Sequence, residues 1–203
     1  MSAKKIRNRN RVDHQIIADL IDPGSRLLDL GCGNGNLLKI LIQEKKVKGV
    51  GIEKDLDMVK KCLEKGISVY HRNLDEGIAH YPENQFDYIV LSLTLQALKH
   101  PDETIREMVR IGKKAIVSFP NFGNIKIRFD LLFKGKMPKS RFLPYEWYNT
   151  PNIHFCSVKD FKDFCRNENI KIVNEIFLKK MNRKILGIWP NLFASLAIFV
   201  LET

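Results

Sequence analysis

The chain has 203 residues, of which 44% are hydrophobic and 28% are charged, and its net charge is +11 at pH 7. This length suits one domain with its own core, and this composition excludes a disordered or fibrous protein. The charged N-terminus lacks the apolar run of a secretion signal, and no apolar stretch is long and unbroken enough to span a membrane. We therefore expect one cytoplasmic domain over residues 1–203, with no membrane association.

The positive charge makes a nucleic acid a candidate partner, because Lys and Arg bind polyanions by releasing counterions. The basic residues are nevertheless spread over the arm before residue 12, the segment 126–141 and the cluster 179–184. The four cysteines form no CxxC pair and have no histidine at ligand spacing, which predicts reduced thiols and no metal site. Nucleic-acid binding therefore remains a minor hypothesis.

From residue 12 to residue 120 the hydrophobic pattern alternates between the helical and the strand period. Helices are predicted at 12–21, from 37 onward, at 56–65 with Val59, Cys62 and Leu63 inward, and at 101–111. Strands are predicted at 26–30, 47–52, 67–71, 86–92 and 113–119. Such alternation is typical of a parallel sheet with helices on both faces, so the predicted fold class is α/β.

Beyond residue 120 the regular alternation loosens. A basic amphipathic helix is predicted at 124–133, followed by a loop over 135–155 that is rich in proline and aromatic residues. A helix at 158–167 and strands at 171–178 and 193–201 close the chain. Because long loops in compact domains are usually functional or disordered, and this one is aromatic, we interpret residues 121–156 as a lid-like insertion.

The first predicted strand runs into a turn, residues 29–35, with the sequence DLGCGNG. Glycine lets a backbone turn tightly and approach a ligand closely, so the amides of this turn can face a polar or anionic group. A dinucleotide motif would place its third glycine at position 36, where this chain has Asn36. Asp29 adds a carboxylate, which suits the amino group of a methionine moiety and would be unfavourable beside a pyrophosphate.

Polar residues also follow the next two predicted strands. Glu53 stands where doubly wound sheets carry an acidic side chain that accepts ribose hydroxyls. Asn73 can accept the exocyclic amine of adenine while the amide of Leu74 meets a ring nitrogen, although a turn built by Asn and Asp chemistry is the alternative. These features favour S-adenosylmethionine, or its product S-adenosylhomocysteine, as the ligand. The predicted cofactor-binding residues are Asp29, Gly31, Cys32, Gly33, Gly35, Glu53, Asn73, Leu74, Leu91, Ser92 and Gln96.

Six segments of the chain resemble the methionine-biosynthesis protein MetW family of class I methyltransferase-like proteins. They read LLDLGCGNG, VGIEKD, RNLDEG, FDYIVLSLTLQAL, IVSFPNFG and KMPKSRFLPYEWYNTPNIHFCSVKDF. The similarity runs from about residue 11 to residue 178. Residues 143–154 are specific to that family, whereas the first four motifs identify only the superfamily.

The resemblance implies a three-layer, doubly wound sheet of seven strands, mostly parallel with an antiparallel last strand, and a cofactor at the carboxyl ends of the first strands. It also implies a role in methionine synthesis, in which such proteins support the homoserine O-acyltransferase of the pathway. Asn34 and Asn73 stand where the family usually has acidic residues. We therefore expect adenine to bind more weakly than in relatives.

Methyl transfer needs little beyond in-line positioning and exclusion of water, since the sulfonium is already activated. A protonated amine or hydroxyl acceptor also needs a general base, for which His154, Glu146 and Tyr145 of the lid-like insertion are candidates. For His154 the alternative is a structural histidine that hydrogen-bonds the loop.

Besides an accessory role without transfer chemistry, an active methyltransferase on a small-molecule acceptor stays open. An RNA or DNA methyltransferase is disfavoured, because Pro-Cys and Asn-Pro-Pro-aromatic motifs are missing.

Overall fold

The computed structural model describes residues 12–140, 142–179, 183–184 and 189–202. The strands are β1 Arg26–Leu30, β2 Lys48–Glu53, β3 Val69–His71, β4 Phe86–Ser92, β5 Gly112–Pro120, β6 Lys171–Lys179, β7 Arg183–Lys184 and β8 Leu196–Glu202. The helices are α1 Val12–Asp19, α2 Asn36–Lys45, α3 Leu56–Leu63, α4 Pro101–Ile111, α5 Ile125–Lys134, α6 Val158–Asn167 and α7 Pro190–Phe193. The predicted basic arm before residue 12, and residues 141 and 180 of the other basic clusters, lie outside the described residues.

The strands form one sheet in the order β3-β2-β1-β4-β5-β8-β6-β7. Strands β1 to β5 pair in parallel, and β8 pairs antiparallel with both β5 and β6. This arrangement confirms the expected α/β class and the seven-stranded, mostly parallel sheet with an antiparallel last strand. The two-residue β7 is an addition that the sequence did not predict, and it extends the sheet edge by pairing antiparallel with the end of β6.

The central strands β4 and β5 are nearly continuous apolar runs because helices cover both faces of the sheet. On one face, Phe119 of β5, Phe161 of α6 and Phe199 of β8 pack with ring centroids 4.7 to 5.9 Å apart. On the other face, Ile17 of α1 and Leu38 of α2 belong to a second buried cluster. The core therefore has two layers of side chains, separated by the sheet.

Several predicted features differ in detail from the structure. Helix α3 ends at Leu63 rather than at residue 65, and β3 begins at Val69 rather than at residue 67. Helix α1 ends at Asp19 rather than at residue 21. Leu63 was predicted to point inward but is 60% exposed, because the buried stripe of α3 runs through Val59 and Cys62 and Leu63 is rotated away from it. The last strand begins at Leu196, since residues 190–193 form a short helix that opens with proline.

The segment 121–156 connects the end of β5 to the start of α6. Asn121, which is almost wholly buried, holds both ends of the segment. Its Nδ2 donates to the carbonyls of Asn191 and Ala194, while its Oδ1 accepts from the amides of Gly123 and Val158. The segment is therefore anchored at its base, and its interpretation as a lid stays a prediction.

No helix in the described ranges is both long and apolar enough to cross a membrane.

Candidate functional site

The glycine turn connects β1 to α2 at the carboxyl edge of the sheet. Gly31, Gly33 and Gly35 all have positive φ, at 69°, 56° and 73°, a conformation that only glycine adopts readily. The amides of Gly31 and Cys32 both donate to the carbonyl of Ile52, at 2.8 and 3.1 Å. The turn is therefore fastened to the end of the neighbouring strand β2.

The three glycines of the turn have different surroundings. A Cβ on Gly31 would lie 2.7 Å from Oγ1 of Thr94, and one on Gly35 would lie 2.7 Å from Cδ1 of Ile67. A Cβ on Gly33 would meet no atom within 4 Å. Gly31 and Gly35 are thus required for close packing of the turn, whereas Gly33 borders open space in which a ligand can approach the backbone.

Glu53, at the end of β2, lies beside Gly33. Its Oε2 accepts from the Gly33 amide at 2.8 Å, and its Oε1 accepts from the amides of Lys54 and Asp55 at 2.8 and 2.9 Å. The carboxylate is therefore held in place by three backbone donors. The direct bond from Gly33 to Glu53 is a contact that sequence patterns do not show.

Asp29 lies beneath the turn and is only 2% exposed. It pairs with Gly51 of β2 and with Val90 of β4, so it lies on an interior strand of the sheet. Its contact with the amino group of a ligand stays a prediction.

Cys32 packs its sulfur over Gly51, where an added Cβ would come within 2.4 Å of it. Its Sγ lies 4.0 Å from the Sγ of Cys62, whose thiol also donates to the Gly33 carbonyl at 3.2 Å. Burial, reinforced by the nearby carboxylate of Asp29, raises the pKa of the Cys32 thiol far above its usual value. Cys32 is therefore a neutral packing group at pH 7 rather than a nucleophile.

Asn73 and Leu74 follow β3 at the same edge. Asn73 begins a short 3-10 turn, in which its Oδ1 accepts from the Asp75 amide at 3.2 Å. Within the chain, therefore, Asn73 forms the turn that was its alternative role. The same oxygen has a second lone pair, which leaves the predicted bond to an adenine amine open. Asp75 in turn accepts from the Lys99 amide at 2.8 Å, which ties this loop to the segment after β4.

The end of β4 and the segment after it face the glycine turn, since a Cβ on Gly31 would meet Thr94. The Leu91 side chain is fully buried in the core, so only its backbone can face a ligand. Ser92 Oγ accepts a 3.3 Å hydrogen bond from Ser118. Gln96 is 8% exposed, and its Nε2 donates to the carbonyl of Leu93 at 2.9 Å. Among the described residues nothing pairs with Gln96 Oε1, which is a buried acceptor.

Gln96 also joins the site to the lid-like insertion. Its backbone carbonyl accepts from the amides of Ile153 and His154, at 2.8 and 3.1 Å. The backbone of His154 is therefore fixed to the wall of the site, while its side chain is exposed. Because these bonds are made by the backbone, both the catalytic role of His154 and its structural alternative stay predictions.

The other two candidate bases have different surroundings. Glu146 forms an ion pair with Lys139, and its amide donates to Asn149 Oδ1 at 3.1 Å. These contacts lie within the insertion itself. Tyr145 is half-buried. Their assignment as general bases stays a prediction.

Lys65 is a residue of the site that the sequence motifs did not indicate. Its Nζ donates to the carbonyl of Asn34 at 2.5 Å and to Oδ1 of Asn36 at 2.6 Å, which ties the end of α3 to the glycine turn. Partial burial lowers the pKa of this ammonium group. Nothing in the local sequence signals such a contact, because it joins residues about thirty positions apart.

In the described part of the chain no cluster of His, Cys, Asp and Glu is arranged to hold a metal ion.

The chain is similar to known proteins in sequence and in structure. The model of the family described as methionine biosynthesis protein MetW matches residues 11–201. The bifunctional methionine biosynthesis protein MetXA/MetW of Rhodopirellula baltica is 35% identical over 175 residues, which cover 82% of this chain and 28% of that protein. Phosphoethanolamine N-methyltransferase 1 of Arabidopsis thaliana is 30% identical over 105 residues, covering 48% of this chain and 21% of that protein. The chain thus spans less than a third of the length of either relative.

Solved structures share the fold at low sequence identity. A SAM-dependent methyltransferase from Archaeoglobus fulgidus has a TM-score of 0.71 at 16% identity, and the match covers 98% of this chain and 97% of that chain. An S-adenosylmethionine-dependent methyltransferase from Mesorhizobium loti has a TM-score of 0.69 at 15% identity, and the match covers 98% of this chain and 100% of that chain. The fold is therefore that of S-adenosylmethionine-dependent methyltransferases.

Proposed function

The chain belongs to the MetW family of methionine biosynthesis proteins, and on this premise we propose that it binds S-adenosylmethionine at the glycine turn and supports a homoserine O-acyltransferase. The observation that carries the cofactor assignment is the pairing of Glu53 with Gly33 beside open space. A carboxylate, a bare backbone and room for a ligand meet there at the carboxyl edge of a parallel sheet, where doubly wound folds bind nucleosides.

The residues present fit this cofactor. Each carboxylate oxygen has two acceptor positions, and Glu53 Oε2 accepts a single hydrogen bond from the chain, so it can still accept from a ribose hydroxyl. Asn73 can take the adenine amine through its second lone pair. The absence of any atom near Gly33 on the side where a Cβ would stand leaves space against the turn.

Bound S-adenosylmethionine supplies an activated methyl group. The chain contributes positioning, through Glu53 and the glycine turn, and exclusion of water, through the insertion fastened to Gln96. A strong general base is not required of an accessory protein. The exposed His154 and the ion-paired Glu146 agree with such a role.

The partner assignment is supported by the relative from Rhodopirellula baltica, which joins a MetXA part and a MetW part in one protein. Fusion holds two units at a high effective concentration, an arrangement that favours a working association between them. We therefore expect the separate chain to bind the acyltransferase of its own organism.

The decisive experiment mixes the purified chain with that homoserine O-acyltransferase, with and without S-adenosylmethionine. We expect a complex and a higher acyltransferase rate with the wild-type chain. The Glu53→Ala variant is the control, because it should retain the fold and lose the effect of the cofactor. If the wild-type chain neither associates with the acyltransferase nor changes its rate, the accessory function is wrong.

An active methyltransferase on a small molecule is a second candidate, and Gln96 favours it. A buried acceptor without a partner costs free energy, about 1 to 3 kcal/mol, and a ligand that donates to Gln96 would recover that cost. Formation of S-adenosylhomocysteine from S-adenosylmethionine in a metabolite extract tests this candidate. Loss of that turnover in Gln96→Leu would assign Gln96 to the acceptor if cofactor affinity is unchanged, and to the predicted cofactor site if that affinity falls as well.

A further inference from the structure

Helix α5 carries large apolar side chains on its outer surface. We name this surface the α5 patch, and its residues are Phe129, Leu131, Leu132 and Phe133. Leu132 and Phe133 are 76% and 71% exposed, and the rings of Phe129 and Phe133 stack at 5.2 Å. Single exposed apolar residues are common on proteins, but a contiguous patch of this kind marks an interaction site.

Helix α5 buries little of its apolar surface, whereas a helix of the core would bury most of it. Of its ten residues, Ile127 is the buried one. The helix is fastened mainly at its start, where Asn124 Nδ2 donates to the carbonyl of Ala194 at 2.8 Å. Helices of this length are marginal in water when they stand alone and depend on burial of an apolar face. Within the residues that the structure describes, the main apolar face of α5 is therefore left uncovered.

The shape of the patch favours a groove as its cover. Phe129, Leu132 and Phe133 are spaced i, i+3 and i+4, the pattern of anchors that a helix places in an apolar groove. At 100° per residue, the addition of Leu131 widens the apolar arc to about 200°. The walls of a groove contact such an arc on both sides.

The charges around the patch select the partner. Lys126 and Lys136 are exposed beside it, and the chain as a whole carries a net charge of +11. In a twofold contact between two copies the same patch meets itself, so the lysines of one copy would approach the lysines of the other. An acidic rim on a different protein complements these charges.

We infer that the α5 patch docks in an apolar, acid-rimmed groove of the homoserine O-acyltransferase. The inference rests on the proposed function, since it takes the acyltransferase as the partner. It adds the surface of this chain that makes the contact, which lies on the insertion and is distinct from the glycine turn.

The test measures binding of the full-length chain to the acyltransferase by calorimetry. The double variant Leu132→Gln/Phe133→Gln should weaken binding at least tenfold, because glutamine keeps the helical propensity and removes the apolar anchors. Leu63→Gln is the matched control, since Leu63 is also an exposed leucine on a helix, and it should bind within about twofold of wild type. Unchanged circular dichroism and S-adenosylmethionine affinity establish that the double variant is folded.

The outcomes separate the two proposals. If the wild-type chain does not bind the acyltransferase, the proposed function fails. If it binds and the double variant binds equally well, the function stands and the docking surface is wrong. Sedimentation of the chain alone and flotation with phosphatidylglycerol vesicles complete the test. A loss of self-association or of vesicle binding in the double variant, with acyltransferase affinity unchanged, would assign the patch to a second copy or to a membrane and overturn the inference.

Discussion

The Oε2 of Glu53 accepts a 2.8 Å hydrogen bond from the backbone amide of Gly33, although the two residues are twenty positions apart. The bond joins the end of β2 to the middle of the glycine turn. Glu53 therefore has two tasks in the proposed site, because it shapes the turn from within the chain and offers a remaining acceptor position to a ribose hydroxyl.

Replacement of Glu53 separates these two tasks. Glu53→Ala removes both the bond to Gly33 and the hydroxyl acceptor, so S-adenosylmethionine affinity should fall by a factor of ten or more, about 1.4 kcal/mol. Glu53→Gln retains one carbonyl oxygen and should lose less. Calorimetric titration of both variants checks this order, and wild-type affinity in Glu53→Ala would refute the assignment.

Gly33 and Gly24 offer a matched pair of glycines for testing the turn. Both have positive φ, and at both an added Cβ meets no atom within 4 Å. Alanine at either position should therefore cost a similar amount of stability through backbone strain, about 1 kcal/mol. Only Gly33→Ala should also weaken S-adenosylmethionine binding, because Gly24 lies in the turn before β1. Equal cofactor affinity in the two variants would contradict a ligand at Gly33.

The fold and the turn could be predicted because their signals are local in sequence. Strand β1 runs into the glycines, α4 begins with Pro101 and two acidic residues, and both elements have the predicted bounds. Glu53 was identified for the same reason, since it is the last residue of a strand. A strand, a turn and a helix each leave a pattern within about ten residues.

The contacts that complete the site could not be predicted in this way. Lys65 reaches Asn34, Thr94 packs against Gly31, and Gln96 accepts from His154 only after the sheet has brought distant segments together. Helix α5 shows a second limit. Its amphipathic pattern predicted the helix correctly, but periodicity alone does not tell whether an apolar face meets the core of its own chain or another molecule.

Asp87 supports a prediction about acid stability. Its carboxylate accepts from the Arg26 amide at 3.0 Å and lies 3.0 Å from the Lys113 ammonium group. Hydrogen bonds from Arg26, with Lys113 as a further donor, hold the pKa of Asp87 well below its usual range. Because the folded-state pKa lies below the unfolded one, the stabilisation is present above the unfolded pKa and is lost as the pH falls through the folded pKa.

Asp87→Asn should therefore lower the free energy of unfolding at pH 7 by about 1 kcal/mol. The wild-type chain should lose further free energy of unfolding between pH 7 and about pH 2, a range that includes the unfolded pKa near 3.9. The Asp87→Asn variant should lose less over the same range. Urea denaturation at both pH values measures the two effects. Asp163→Asn is the control, because Asp163 pairs with Arg166 on the exposed surface of α6. An equal acid response of Asp87→Asn and wild type would show that this ion pair does not contribute.

The bond between the His154 amide and the Gln96 carbonyl allows ligand binding to be detected in the insertion. The amides of Ile153 and His154 donate to one carbonyl on the wall of the proposed site. A ligand that fills the site should restrict that wall, so these two amides should exchange with deuterium more slowly when S-adenosylmethionine is added. The Glu53→Ala variant should show a smaller change at the same ligand concentration. If saturating S-adenosylmethionine leaves exchange at both amides unchanged in the wild-type chain, the insertion does not respond to the cofactor, and its interpretation as a lid is wrong.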